Sequence, residues 1–232
     1  MWALGTGHRV ETGTYGGVIL ASTLTPWRND AAFEAFRTQI AGHTLVAPPR
    51  LYDLYQLAKD LRDEPGDILE VGVWRGGSGC LLAAAGTSES GSTTVYLADT
   101  FTGVAKASDK DPIYRGGEHA DTSEQIVRSL ADRMKLTNVE LLTGIFPDDT
   151  AAGIADRTFK LVHVDVDVYA SAKQVTEWVW PRLAPGGVIV FDDYGTPTTG
   201  GVRTFVEEFR GTPQSRTFTS LNQHAFITRF AG

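Results

Sequence analysis

The feature that most constrains the fold is a repeated order of short apolar runs and helical segments from residue 67 onward. Five strands are predicted, each followed by a Gly-rich, polar or acidic turn, at 67–73, 94–99, 139–144, 159–165 and 188–192. Helices are predicted between them at 79–85, 122–134 and 171–183. Strands that alternate with helices form a largely parallel sheet with helices on both faces, so the sequence predicts a doubly wound α/β fold.

The chain before the first strand is predicted to be mainly helical. A helix is expected at about 31–40 with Asn29 or Asp30 as its cap, and a second helix follows Pro48. Residues 1–25 are rich in Gly and Thr and have no clear period, so we expect a mobile arm or an oligomer contact there.

The C-terminal part is predicted to end in a hairpin. A helix at about 201–209 precedes two strands near 215–221 and 224–230, which are close enough to pair in antiparallel fashion. Because no repeat, low-complexity tract or linker interrupts the chain, we expect one domain. Within it, 1–66 is the helical lid and oligomer segment and 67–232 is the core.

Composition narrows the class of partner and the expected location. The net charge is −7, the pI is about 5.2 and no basic run occurs, which argues against a nucleic-acid partner. No segment approaches 18 consecutive apolar residues, so we expect no membrane span. The start of the chain lacks the basic-then-apolar pattern of a signal peptide, and we therefore expect a cytoplasmic protein.

A Gly-rich turn follows the first predicted strand and opens a helix. Free N–H groups at such a helix start can bind a ligand, and glycine allows a close approach of the backbone. The spacing of Gly72, Gly76, Gly77 and Gly79 does not fit the G-x-G-x-x-G pattern of dinucleotide sites. An acidic residue such as Glu70 at the start of the motif is more typical of S-adenosylmethionine binding, with a purely structural turn as the alternative.

Two further strand ends carry candidate cofactor residues. Asp99 ends the second strand, where a carboxylate can accept both ribose hydroxyls of either NAD or S-adenosylmethionine. Phe101 could cover an adenine ring, and the turn at 144–146 could flank its other side, although each aromatic residue taken alone is more often part of a core.

Four carboxylates follow the fourth and fifth strands. Asp165 and Asp167 end one strand, and Asp192 and Asp193 end the other. Ligands of open α/β sheets bind outside such strand ends. On a continuing strand Asp165 and Asp167 would share a face, whereas Asp192 and Asp193 can converge only if the strand stops, as Gly195 suggests.

Close carboxylates repel each other unless a cation or protons intervene. Hard oxygen ligands favour Mg²⁺, with Mn²⁺ or Ca²⁺ as alternatives. We interpret the adjacent His163 as a packed strand residue rather than a ligand. A divalent ion can lower the pKa of a substrate hydroxyl, and a carboxylate can then accept its proton. Because two vicinal hydroxyls can chelate one metal ion, we expect a diol-like substrate.

Several of these motifs occur together in one known family. The runs ILEVGVWRGGS, LADTF, GIFPD, VHVDVDVY and GGVIVFDDYG resemble the macrocin O-methyltransferase family, which contains the sugar O-methyltransferases of macrolide and aminocoumarin antibiotic pathways. The resemblance extends from about Thr44 to the C-terminus.

The resemblance implies a Rossmann-like class I methyltransferase with a mostly parallel seven-stranded sheet and an antiparallel C-terminal hairpin strand. It places metal ligands on Asp165, Asp192 and Asp193, and the catalytic base on Asp167 or else on Asp165. Substrates would be hydroxyls of deoxysugars on natural products, and the protein would be a homodimer or a larger homo-oligomer.

The predicted cofactor site includes the family positions Glu70, Gly72, Ser78 and Asp99 and the segment 43–46, which would close over the methionine end of the cofactor. The full predicted set is Thr44, Leu45, Glu70, Gly72, Trp74, Arg75, Ser78, Asp99, Thr100, Phe101, Gly144, Ile145, Phe146 and Asp165.

The loop 102–121 is not fixed by the family motifs and is predicted to act as a substrate lid, with His119 as an auxiliary base or a solvated side chain. Three other functions remain open at this point. They are a catechol-type O-methyltransferase, a non-catalytic S-adenosylmethionine-binding protein, and an oxidative enzyme of the same fold, which would need two histidines and a carboxylate that the sequence does not reveal.

Overall fold

Seven strands form a single sheet in the computed structural model, which describes residues 25–88 and 93–230. They are β1 (Asp67–Val71), β2 (Val95–Asp99), β3 (Val139–Thr143), β4 (Phe159–Val164), β5 (Leu183–Phe191), β6 (Ser215–Thr219) and β7 (Ala225–Arg229). Their order across the sheet is β3-β2-β1-β4-β5-β7-β6, and β7 is antiparallel to both of its neighbours. The predicted mostly parallel sheet with an antiparallel C-terminal strand is confirmed.

Six α-helices occur in the described residues. They are α1 (Ala31–Gln39), α2 (Pro48–Asp60), α3 (Gly77–Ala85), α4 (Glu124–Arg133), α5 (Tyr169–Val179) and α6 (Gly200–Phe209). Asp30, one of the two predicted caps, is the N-cap of α1, since its Oδ1 accepts the N–H of Phe33 at 3.0 Å. None of these helices is long and apolar enough to span a membrane.

Several element bounds differ from the predictions for identifiable reasons. β1 ends at Val71 because Gly72 turns the chain with a φ of +88°. α5 ends at Val179, where a short 3₁₀ turn containing Pro181 replaces the predicted continuation to residue 183. The hairpin strands are shorter than predicted, and the turn between them spans 220–224 rather than two residues.

The apolar core lies in two layers, one on each face of the sheet. Neighbouring residues of β1 point to opposite layers, since Ile68 packs with α1–α4 and Leu69 packs with α5 and α6. Burial on both faces explains why the central strands β1, β2 and β4 are mostly apolar and do not alternate between apolar and polar residues. This arrangement leaves the carboxyl ends of the strands open at one edge, where the acidic residues lie. The arm or oligomer contact expected for 1–25 falls almost wholly outside the described residues.

Candidate active site

A cavity of about 250 Å³ opens at the carboxyl ends of the central strands. Its walls come from the turns after β1 to β5, the segment before α2, and the loop between β2 and α4. Of the predicted cofactor residues, the wall contains Thr44, Leu45, Gly72, Trp74, Ser78, Asp99, Thr100, Gly144, Ile145, Phe146 and Asp165. The structure therefore brings most of the predicted site to one place.

Three predicted cofactor residues are not part of the cavity wall. Glu70 is fully buried beneath the turn, and its Oε1 lies 2.8 Å from Nδ1 of His163. Arg75 points away and pairs with Asp121 at 2.8 Å. Phe101 packs against the core layer of α1–α4. These three side chains therefore do not line the cavity in this structure.

Asp99 organises the turn that follows β1. Its Oδ2 accepts the N–H groups of Val73 at 2.7 Å and Trp74 at 2.9 Å, and its Oδ1 accepts the N–H of Phe101 at 2.7 Å. A carboxylate has about four acceptor positions, so about one remains beyond these three bonds, and Asp99 can still accept a ribose hydroxyl from the cavity side. The same side chain thus shapes the cofactor turn and faces the cavity.

The glycines of the turn are required by close backbone approaches. A Cβ on Gly72 would lie 1.7 Å from the main-chain oxygen of Asp165. A Cβ on Gly77 would lie 2.6 Å from the main-chain oxygen of His43, which accepts the N–H of Gly77 at 2.7 Å. These contacts bring both the acidic cluster and the segment 43–46 against the start of α3.

The acidic cluster forms where β4 and β5 end. One carboxylate oxygen from each of Asp165, Asp192 and Asp193 lies within 4.8 Å of the others. The expectation that Asp165 and Asp167 share the face of a continuing strand is wrong, because β4 stops at Val164 and Asp167 has a φ of +64°. All four carboxylates nevertheless reach the cavity wall. The N–H of Asp167 donates to Oδ2 of Asp193 at 2.9 Å.

Burial dominates the electrostatics of the cluster. It raises the pKa of Asp165 and of Asp193 well above the ordinary value, and the charges of the neighbouring aspartates add to the shift. Burial also raises the pKa of Asp167, although a hydrogen bond from Tyr114 and the charge of His119 oppose it. Bringing three carboxylates together in a buried place is unfavourable unless a cation neutralises them.

Asp192 differs from the other carboxylates because positive or polar groups surround it. Its Oδ1 lies 2.9 Å from Nε2 of His224 and 3.8 Å from Nε2 of His163, and Arg50 contacts its Oδ2. Burial raises the pKa of Asp192, but the two histidines and Arg50 outweigh it and hold that pKa well below the usual range. Burial lowers the pKa of His163, and the carboxylates of Asp192 and Glu70 more than reverse this and raise it to about 10.

The histidines around Asp192 correct one sequence-based statement. His163, Asp192 and His224 form a second group in which one ligand atom from each residue lies within 4.8 Å of the others, so the structure does contain two histidines and a carboxylate together. His163 is a fully buried strand residue, as expected, and lies outside the cavity wall. No local motif marks His224, because it comes from the turn before β7, far along the chain.

The loop predicted as a lid is fastened to the rest of the protein. The carboxylate of Asp111 accepts the N–H of Tyr169 and the N–H of Ser108, at 2.8 and 2.9 Å. Ser171 Oγ donates to the main-chain oxygen of Ala105 at 3.1 Å. From this fixed loop, Tyr114 and His119 line the cavity.

Two of the cavity-lining residues of the loop, Tyr114 and His119, face one carboxylate. The hydroxyl of Tyr114 hydrogen-bonds Asp167, and Nε2 of His119 lies 4.0 Å from its Oδ2. Burial raises the pKa of Tyr114 well above the ordinary value, and the bond to Asp167 adds to the shift, so the hydroxyl remains a donor. The loop therefore adds Tyr114 and His119 to the part of the cavity wall that contains Asp167.

The described residues fit both groups that the site implies. The cavity places an acidic strand end, Asp99, beside Gly-rich main chain, which suits a nucleoside with a cationic methionine part. The three clustered carboxylates supply hard oxygen ligands of the kind that Mg²⁺, Mn²⁺ and Ca²⁺ prefer. Their burial and mutual repulsion are the features that a bound cation would compensate.

Comparison with known proteins decides the family. A family model described as Macrocin-O-methyltransferase (TylF) matches residues 28–221. The chain belongs to the macrocin O-methyltransferase family. It is accordingly an S-adenosylmethionine-dependent O-methyltransferase, as the sequence motifs predicted.

This methyltransferase is similar to several individual O-methyltransferases. It is 33% identical to the Mycinamicin III 3''-O-methyltransferase of Micromonospora griseorubida, over 72% of this chain and 70% of that protein. It is 35% identical to the 8-demethyl-8-(2,3-dimethoxy-alpha-L-rhamnosyl)-tetracenomycin-C 4'-O-methyltransferase of Streptomyces olivaceus, over 73% of this chain and 68% of that protein. Among solved structures it is similar to the O-methyltransferase NovP, with a TM-score of 0.68 and 26% identity over 82% of this chain and 83% of that one.

Proposed function

We propose that this methyltransferase transfers the methyl group of S-adenosylmethionine to a hydroxyl of a deoxysugar in a glycosylated natural product, with a divalent cation at Asp165, Asp192 and Asp193. The observation that carries the proposal is the buried carboxylate cluster on the wall of the cofactor cavity. The names of the two curated relatives, both of which act on sugars of natural products by their description, support the acceptor class.

The cofactor supplies an electrophilic methyl group, and a bound divalent cation supplies Lewis acidity toward an acceptor hydroxyl. The protein's own task is then to orient the two reactants, since a displacement in line depends on position. Asp99 and the turn at 72–74 fix the nucleoside side of the cavity, and the segment 44–46 covers the opposite end.

Asp167 is the residue best placed to accept the acceptor's proton. Its carboxylate lies on the cavity wall beside the cluster, and its main-chain N–H is held by Asp193. Burial raises its pKa toward the range in which a carboxylate works as a general base near neutral pH. Tyr114 and His119 lie beside this carboxylate on the cavity wall.

The first experiment is a calorimetric titration of the purified protein with S-adenosylhomocysteine, with and without Mg²⁺, and with NAD in parallel. We expect binding of S-adenosylhomocysteine and none of NAD. If S-adenosylhomocysteine fails to bind under every condition, the methyltransferase assignment is contradicted. If the protein binds it but methylates no acceptor of any class, a non-catalytic binding protein is the better description.

Acceptor class and metal use are tested by activity. Glycosylated natural products with vicinal hydroxyls are compared with catechols, and EDTA is the control for metal dependence. We expect methylation of the glycosides, its loss in EDTA and in Asp193→Asn, and no loss in the exposed-loop control Asp109→Asn. Preference for catechols would favour the phenolic alternative, and full activity in EDTA would exclude the metal.

A further inference from the structure

A basic side chain touches the proposed metal cluster, although no sequence motif predicts it. Arg50 lies in the first turn of α2, lines the cavity and has only 14% of its side chain exposed. Its Nη1 contacts Oδ2 of Asp192 and donates to the main-chain oxygen of the same residue at 3.1 Å. A cation of the protein therefore already occupies one of the carboxylates that a metal would need.

The two oxygens of Asp192 have different surroundings. Oδ1 faces two fully buried imidazoles, with Nε2 of His224 at 2.9 Å and Nε2 of His163 at 3.8 Å. Oδ2 faces the guanidinium of Arg50, which is itself part of the cavity wall. A cation that enters from the cavity therefore reaches Asp192 through Oδ2, and there it meets Arg50.

We propose that Arg50 is a positioning residue that neutralises Asp192 in the metal-free protein and must release Oδ2 when a divalent cation binds, so that it sets the metal affinity of the site. This inference rests on the proposed metal function of the cluster. Two consequences follow from like-charge repulsion and from the loss of a buried ion pair. Without the guanidinium, the site binds divalent cations more tightly, and the metal-free protein is less stable.

The test measures metal binding directly. Metal-free wild-type protein, Arg50→Met and Arg50→Lys are titrated with Mn²⁺ by calorimetry, and Arg128→Met serves as the control for a lost positive charge at an exposed helix position. We expect at least about tenfold tighter binding in Arg50→Met. Arg50→Lys should be intermediate, because an ammonium group keeps the charge but lacks the planar fork. Arg128→Met should match wild type.

Thermal unfolding gives a second readout that does not depend on activity. In EDTA we expect a lower Tm for Arg50→Met than for wild type, and a larger rise in Tm when excess Mg²⁺ is added. If Arg50→Met does not fold without metal, refolding in Mg²⁺ and the titration of Arg50→Lys still decide the question.

The outcomes separate this inference from the proposed function. If wild type binds Mn²⁺ and both Arg50 variants bind it equally well or more weakly, the role of Arg50 is refuted and the metal site stands. If only the variants bind, Arg50 does compete with the metal, but native metal dependence fails. If no protein binds Mn²⁺, Mg²⁺ or Ca²⁺, both ideas are refuted.

Discussion

Gly72 offers the sharpest test of how the cofactor turn and the acidic cluster are joined. Replacement of Gly72 by alanine adds a Cβ that would lie 1.7 Å from the main-chain oxygen of Asp165 and 2.6 Å from its carbonyl carbon. These are backbone atoms, which no change of rotamer can move away. The residue also has a φ of +88°, a conformation that alanine adopts only at a cost.

The two costs can be separated with a matched control. Gly211 has a φ of +87°, and a Cβ there would meet nothing within 4 Å. Gly211→Ala should therefore show the conformational cost alone, about 1–2 kcal/mol of unfolding free energy. Gly72→Ala adds a steric overlap between the new Cβ and the main chain of Asp165, and overpacking of this kind typically costs about 1–3 kcal/mol more. We expect Gly72→Ala to be less stable than Gly211→Ala by at least about 1.5 kcal/mol.

The assay is urea unfolding of the metal-free proteins, followed by calorimetric titration of each with S-adenosylhomocysteine. Because the displaced carbonyl belongs to Asp165, Gly72→Ala should also bind the cofactor product more weakly, while Gly211→Ala binds it as wild type does. If the two variants are equally stable and bind equally well, the turn does not need the close approach to Asp165 and the reasoning is refuted.

Three further predictions concern a cofactor residue, a buried thiol and the loop of the cavity wall. Asp99→Ala removes the acceptor of three main-chain N–H groups, and titration should show at least about tenfold weaker binding of S-adenosylhomocysteine; unchanged affinity would exclude Asp99 from the site. Burial raises the pKa of Cys80 to about 12, and because its folded pKa exceeds the unfolded value of about 8.5, the native state retains the proton longer and stability falls as pH rises between these values. The free energy of unfolding, measured in urea from pH 8 to 11, should therefore fall less steeply with pH in Cys80→Ala than in wild type. Parallel curves would contradict this. Asp111→Ala removes the carboxylate that joins Ser108 to Tyr169, so hydrogen exchange across the loop should become faster than in the control Asp109→Ala, and equal protection would show that the loop needs no such fastening.

The fold was predictable because its signals are local. The central parallel strands β1, β2 and β4 are buried on both faces and are therefore mostly apolar, and a glycine or a carboxylate lies at the end of each. The positions of Asp165, Asp192 and Asp193 followed from the rule that parallel strands end at one edge. Strand ends were less predictable, since a single left-handed residue such as Gly72 stops a strand that its apolar pattern would continue.

The parts of the site that sequence reasoning missed come from distant elements. Arg50 and His224 reach the cluster from α2 and from the turn before β7, and neither is part of a motif. Glu70 shows the opposite error. Its motif predicted contact with the cofactor, but on β1 it shares the face of Ile68, so its side chain lies beneath α3 and contacts His163.

The fastened loop separates two kinds of residue that usually change together. The Asp111 carboxylate and the main-chain oxygen of Ala105 anchor it to α5, and Asp111 lies outside the cavity wall, whereas Tyr114 and His119 line the cavity. Substitution of Tyr114 or His119 would leave these anchors in place, so we expect the chemistry of the cavity wall to change without loss of the loop's attachment. For protein engineering, the cavity-facing residues of this loop can therefore be varied while its hydrogen bonds to α5 are kept.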